Sequence, residues 1–134
     1  EEIEQAVYSQ DESKELLVDV HTQFFKVNEA QARLAVLTHL DLSSVRFRKE
    51  QDRHLNNLTF VTVLFDRDGK YVMGKEKLLE FRLRDATLAR LTQTGITLKV
   101  EFDLKPGTYL VRQIVRDSEA GQLSGLNRTV EIPY

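Results

Sequence analysis

At 134 residues, 41% hydrophobic and 30% charged, the chain has the make-up of one globular domain, long enough to bury roughly two thirds of its unfolded surface without staples. A formal net charge of −2 and a pI near 6.0 supply no field to gather nucleic acid or an anionic membrane, and no apolar run approaches the ~20 residues of a membrane-spanning helix. The absence of cysteine excludes a disulfide framework, a thiolate metal site and a cysteine nucleophile, and leaves the compartment open.

Residues 1–15 are polar and acidic, with Ile3, Ala6 and Val7 at helical spacing, which fits a short helix or a linker. The opening Glu1-Glu2-Ile3-Glu4 has neither an initiator methionine nor a charged-then-apolar leader, and reads as part of a longer protein. From Leu16 the period shortens to two. Leu16, Val18, Val20, Thr22 and Phe24 share one face of a half-buried strand, and residues 16–134 are expected to form a single domain.

Asn28-Glu29-Ala30-Gln31 is a polar turn, and Leu34, Val36, Thr38, Leu40 and Leu42 then alternate in a strand expected to pair with the first. Residues 43–53 lose the alternation and read as an exposed connection anchored by Val45 and Phe47. Residues 58–65 are apolar on both faces, as in a central strand covered on both sides. Asp66-Arg67-Asp68-Gly69 is a hairpin signal, because glycine accepts the positive φ of the turn. Residues 71–83 return, with Leu79, Phe81 and Leu83 inward and Gly74 as a candidate bulge or early break.

Asp85 is placed to cap a short helix near residues 85–92 whose Leu88 and Leu91 share a face, and Gly95 to end it. Leu98, Val100, Phe102 and Leu104 alternate up to the Pro106-Gly107 pair. Tyr109 follows two residues after the glycine, where it fits either an ordinary turn with a buried ring or a tyrosine corner whose hydroxyl reaches back to a carbonyl. Residues 109–116 are apolar on both faces and suit a central strand. Residues 117–125 read as a turn-rich hairpin loop, and Leu126, Arg128, Val130 and Ile132 as the closing strand. The expected fold is an all-β, immunoglobulin- or fibronectin-like antiparallel sandwich of about seven strands.

Several words in this order, Val63-Leu64-Phe65-Asp66-Arg67-Asp68-Gly69-Lys70, the passage to Gly95, Leu104-Lys105-Pro106-Gly107-Thr108-Tyr109, Val115-Arg116-Asp117 with Gly121, and Val130-Glu131-Ile132-Pro133, carry a resemblance. From about Leu58 onward the chain resembles the C-terminal module of acidobacterial von Willebrand factor A-related proteins. Generic carboxypeptidase-regulatory and fibronectin-like modules use similar corners. The resemblance implies an A domain upstream and a periplasmic or extracellular setting. It implies no metal chemistry, because the Asp-x-Ser-x-Ser adhesion motif and its parallel α/β pattern are both absent.

Asp66 and Asp68 are the candidate calcium ligands, although a full loop requires a bidentate glutamate where Lys77 stands. His21 and His39 fall on outward phases of neighbouring strands without a third zinc ligand. Ser43, Ser44, Ser118 and Ser124 lack a nucleophile elbow, and no cofactor or catalytic residue is expected. Tyr8 and Tyr71 raise a glycan platform, although there is no tryptophan to build it. The expected role is a non-catalytic interaction or spacer module whose partners are a protein or neighbouring domains of the same chain. A glycan- or calcium-binding module is the alternative and an enzyme the third reading. Candidate contact loops carry Arg46, Arg48, Lys49 and Arg53, then Arg67 and Lys70, then Gln122.

Overall fold

The computed structural model describes residues 2–134, arranged as two antiparallel sheets. Helix α1 (Glu2–Tyr8) and a short strand β1 (Ser13–Lys14) precede the hairpin of β2 (Val18–Asn28) and β3 (Gln31–Leu40). A 3-10 turn, Leu42–Ser44, leads to β4 (Arg48–Glu50), β5 (Arg53–Phe65) and β6 (Tyr71–Leu83). Helix α2 (Asp85–Thr94) is followed by β7 (Ile96–Leu104), β8 (Gly107–Asp117) and β9 (Leu123–Ile132).

The smaller sheet has the order β2-β3-β7. The larger runs β1-β9-β8-β5, with β4 pairing the first residues of β5 and β6 lying along β5's other edge. The chain crosses between sheets after β1, after β3, after β6 and again after β7, which is the two-layer, immunoglobulin-like arrangement. The alternating sets behave as the sequence requires: Leu34, Val36 and Leu40 of β3, and Phe102 and Leu104 of β7, are buried between the sheets.

Two apolar clusters fill that space, one around Leu34, Val36, Leu64, Phe102 and Val111, the other around Leu16, Leu40, Leu58, Phe60 and Val115. A polar layer divides them. Thr38 stands between Val36 and Leu40, Thr62 between Phe60 and Leu64, and Gln113 between Val111 and Val115, and all three are buried. Thr62 Oγ1 donates to Gln113 Oε1 across the β5–β8 pair. A third cluster lies outside the sandwich, where Val7 of α1 covers Val63, Phe65 and Ile114. The outer helix explains why residues 58–65 are apolar on both faces.

Several local expectations are corrected. The bulge in β6 falls at Val72, since Leu64 faces Met73 and Phe65 faces Tyr71; Gly74 instead sits regularly opposite Val63. Residues 43–53 are not a free connection: Arg48 and Lys49 belong to β4, Arg53 begins β5, and buried Val45 packs with half-buried Phe47 under the end of the sandwich. Asp85 does not cap α2, whose N-cap is Arg84 without a side-chain bond. Its carboxylate bonds His54 Nε2 at 2.6 Å, tying the helix to β5. The last strand begins at Leu123, three residues earlier than its alternation indicates.

Candidate functional site

At one end of the sandwich the β7–β8 connection packs beside the β5–β6 hairpin. Pro106 is buried, Gly107 opens β8, and the Tyr109 hydroxyl donates to the Lys105 carbonyl at 2.7 Å, the back-bond a corner tyrosine makes. Burial pushes the Tyr109 phenol above its ordinary pKa, with Tyr134 and Asp66 adding to the shift. Asp66 Oδ1 accepts from the backbone N–H of both Asp68 and Lys70, each at 2.9 Å. That carboxylate closes the turn around Gly69, whose φ is 83°, and Asp68 points into solvent. Arg67 and Lys70 lie on the same exposed hairpin.

The other end carries the remaining loop candidates. Arg48 bonds Glu50 and reaches Glu119 at 3.4 Å, so its guanidinium pKa is raised by carboxylates on two elements. Arg53 lies 2.8 Å from Asp52, and Lys49 stands opposite His54. The Arg46 carbonyl accepts from Asn56 Nδ2, and Asn56 Oδ1 in turn accepts from Ser118 Oγ and Glu119 N. The Gln122 carbonyl accepts from Asp117 N. Arg48 and Arg53 are thus paired with neighbouring acids, and β5 spans the distance between this end and Arg67 and Lys70. Two of the three candidate loops, residues 43–53 and 118–125, therefore meet at this end through Arg48–Glu119 and Asn56, while the Arg67–Lys70 hairpin stands at the other, so the three form no single surface.

The residue that sequence reasoning passed over is Arg112. It is 2% exposed on the outer face of β8, and it donates to the Ala6 carbonyl at 3.0 Å, the Asp11 carbonyl at 2.7 Å and Asn127 Oδ1 at 2.9 Å. Burial lowers its pKa, and Glu12 and Asp11 oppose that shift. One buried cation thus binds the N-terminal segment to β8 and β9, and Arg116 adds a contact to Glu2 at 2.6 Å. The available signal was a lone basic residue within the apolar run Leu110-Val111-Arg112-Gln113-Ile114-Val115. Beside this clamp, Tyr8 and Tyr71 flank Phe65 edge-to-face, with ring centroids 6.0 and 6.5 Å away. A cavity of about 110 Å³ lies between Tyr8, Phe65, Leu110 and Arg112.

His21 pairs with Asp19 at 3.0 Å and His39 with Thr97 Oγ1 at 3.0 Å. Among the described residues no group of three or more His, Asp or Glu is placed to hold a metal ion. The serines serve the backbone: Ser124 Oγ donates to the Leu16 carbonyl and accepts its N–H, and Ser44 Oγ donates to the Asp41 carbonyl. No helix of the described residues is long and apolar enough to cross a membrane.

No protein-family model and no curated protein matches the sequence. Solved structures do match in shape. A glycosyl hydrolase family 2 member from Bacteroides cellulosilyticus superposes over 90% of this chain with a TM-score of 0.58 at 11% identity. A β-glucuronidase from Bacteroides uniformis superposes over 84% with a TM-score of 0.52 at 15% identity. The chain spans only 16% and 13% of the length of those two proteins. At these identities the likeness establishes the fold, a small β-sandwich like those set within much longer chains.

Proposed function

We propose that this chain is a non-catalytic immunoglobulin-like interaction or spacer module of a larger exported bacterial protein, positioned after a von Willebrand factor A-like domain. The observation that carries this reading is where the exposed apolar side chains lie. Phe24, Phe25 and Val27 sit on an edge strand, and Tyr8 and Tyr71 at the sandwich end. Small-molecule sites are concave and mostly apolar, whereas modules that join other folded units present edges and ends. The basic side chains already paired with acids would contribute orientation more than affinity.

Hydrogen exchange tests the reading when the isolated chain is compared with the same residues inside the longer protein. The module reading expects added protection along β2 or at one sandwich end. Identical exchange at every exposed strand would contradict a contact with neighbouring domains.

A second reading, glycan binding, is favoured by one specific feature. Tyr8 and Tyr71, far apart in sequence, stand on either side of Phe65, and Tyr8 borders a small cavity. Saccharide stacking on those rings would be lost in Tyr8→Ala and Tyr71→Ala, with binding to an immobilised glycan panel as the readout.

A further inference from the structure

We infer that β2 is a self-complementary edge through which two copies of this chain pair, extending the smaller sheet across a two-fold axis at Phe24. In an antiparallel ladder alternate residues turn both N–H and C=O to the same neighbour. The Leu17 carbonyl accepts from Asp41 N at 2.9 Å, so the odd-numbered residues of this segment face β3 and its extension. The even-numbered ones face outward. Val20 shows this directly: its N–H is held by Asp19 Oδ1 at 3.1 Å and its C=O by Arg128 Nε at 3.0 Å.

Those two side chains guard the edge at Val20, and the guard ends there. Thr22, Phe24 and Lys26 have the same outward parity, because the ladder with β3 stays in register until Lys26 faces Ala32. Among the described residues no side chain is bonded to their backbone groups. An unpaired stretch of edge is a template for another strand. The side chains around it are apolar: Phe24 is 40%, Phe25 56% and Val27 54% exposed. Phe24 belongs to the inward phase of β2, so its exposure marks a place where the core is incomplete at the sheet margin.

A second copy fits this window in one antiparallel register. With Phe24 opposite Phe24 of the second copy, Thr22 lies opposite Lys26 at both ends, and all the open N–H and C=O groups are used. Both copies then keep their cores on the same side of the joined sheet, because residues of equal parity are paired. Phe25 falls opposite Gln23 and diagonal to the second Phe25, within reach for large side chains. Lys26 meets a threonine and no like charge. The contact is smaller than a standard interface, so it forms a concentration-dependent dimer.

Sedimentation equilibrium across a concentration series tests the pairing, with mass expected to rise from the 15.5 kDa of one chain toward twice that value. Thr22→Pro, which removes an outward donor, and Phe25→Lys are both expected to hold the protein monomeric, with a thermal midpoint that no longer depends on concentration and matches the parent's at high dilution. The chain has no cysteine, so register can be read by cross-linking. Phe24→Cys places two thiols on strands about 5.5 Å apart, within disulfide reach, and should oxidise to a covalent dimer far faster than Leu78→Cys on β6. A monomer at every concentration overturns the inference. So does a dimer in which Leu78→Cys links as readily as Phe24→Cys, or a series of larger open-ended species.

Discussion

At the residue scale, two side chains hold parts of the chain that sequence leaves far apart. Tyr109, 9% exposed, joins its own strand to the preceding turn through the Lys105 carbonyl. Tyr109→Phe removes that bond alone and should cost on the order of 1 kcal/mol, while Tyr109→Ala also empties the ring's place in the core and should cost about 3 to 5 kcal/mol. Chemical denaturation distinguishes them, and equal small losses would show that the corner contributes nothing. Arg112 joins three segments at once. Its replacement by methionine should release α1, lower stability by about 2 to 3 kcal/mol, and expose residues 2–12 to limited proteolysis. Gly125→Ala should act the same way, because a Cβ there would stand 2.7 Å from Arg112 Nη2. Retained protection of α1 in both variants would remove Arg112 from its clamping role.

At the element scale, α2 and the 3-10 turn depend on carboxylates that titrate in acid. The Asp85 pKa is lowered by its bond from His54 and by Lys49, and that of Asp41 by the bonds it accepts at Ser43. A carboxyl whose pKa is lower in the folded than in the unfolded chain stabilises the fold above the unfolded value. It loses that contribution as the pH falls through the folded value. The stabilisation is therefore complete at neutral pH, begins to decline as the pH reaches about 3.8, the ordinary carboxylate value, and is gone only below the lowered folded value. Urea melts should find Asp85→Asn less stable than the parent at pH 7, with the gap closing in acid; a gap independent of pH would assign the loss to something other than charge.

The same scale shows what was legible in the sequence. The long strands were readable because their alternation is enforced by a two-sided core. The short ones were not: Arg48-Lys49-Glu50 is charged at every position, and Ser13-Lys14 is too brief to show a period. Ser124 and Gly125 look like turn residues but lie inside β9. Ser124 is there to bond the Leu16 backbone, and Gly125 to leave space for Arg112. The candidate loops were legible as exposed and polar, yet their separation to opposite ends depends on the direction of β5, which no local pattern reveals.

At the scale of the whole molecule, the sandwich is filled inside, clamped outside by its own N-terminal helix, and open along β2 and at the Tyr8–Phe65–Tyr71 end. A fold of this kind is a rigid unit that presents edges. In the function proposed above it acts through contacts with other folded units, with no small ligand or ion required. The measurement that tests this most directly is a thermal melt with calcium, zinc, EDTA and a panel of cell-wall and plant glycans. A ligand at a hundredfold excess over its dissociation constant adds roughly 2.7 kcal/mol, enough to raise the midpoint by several degrees in a domain of this size. The midpoint is expected to be unchanged under every condition. A rise of several degrees with any one of them would contradict it and make that ligand the starting point for the function.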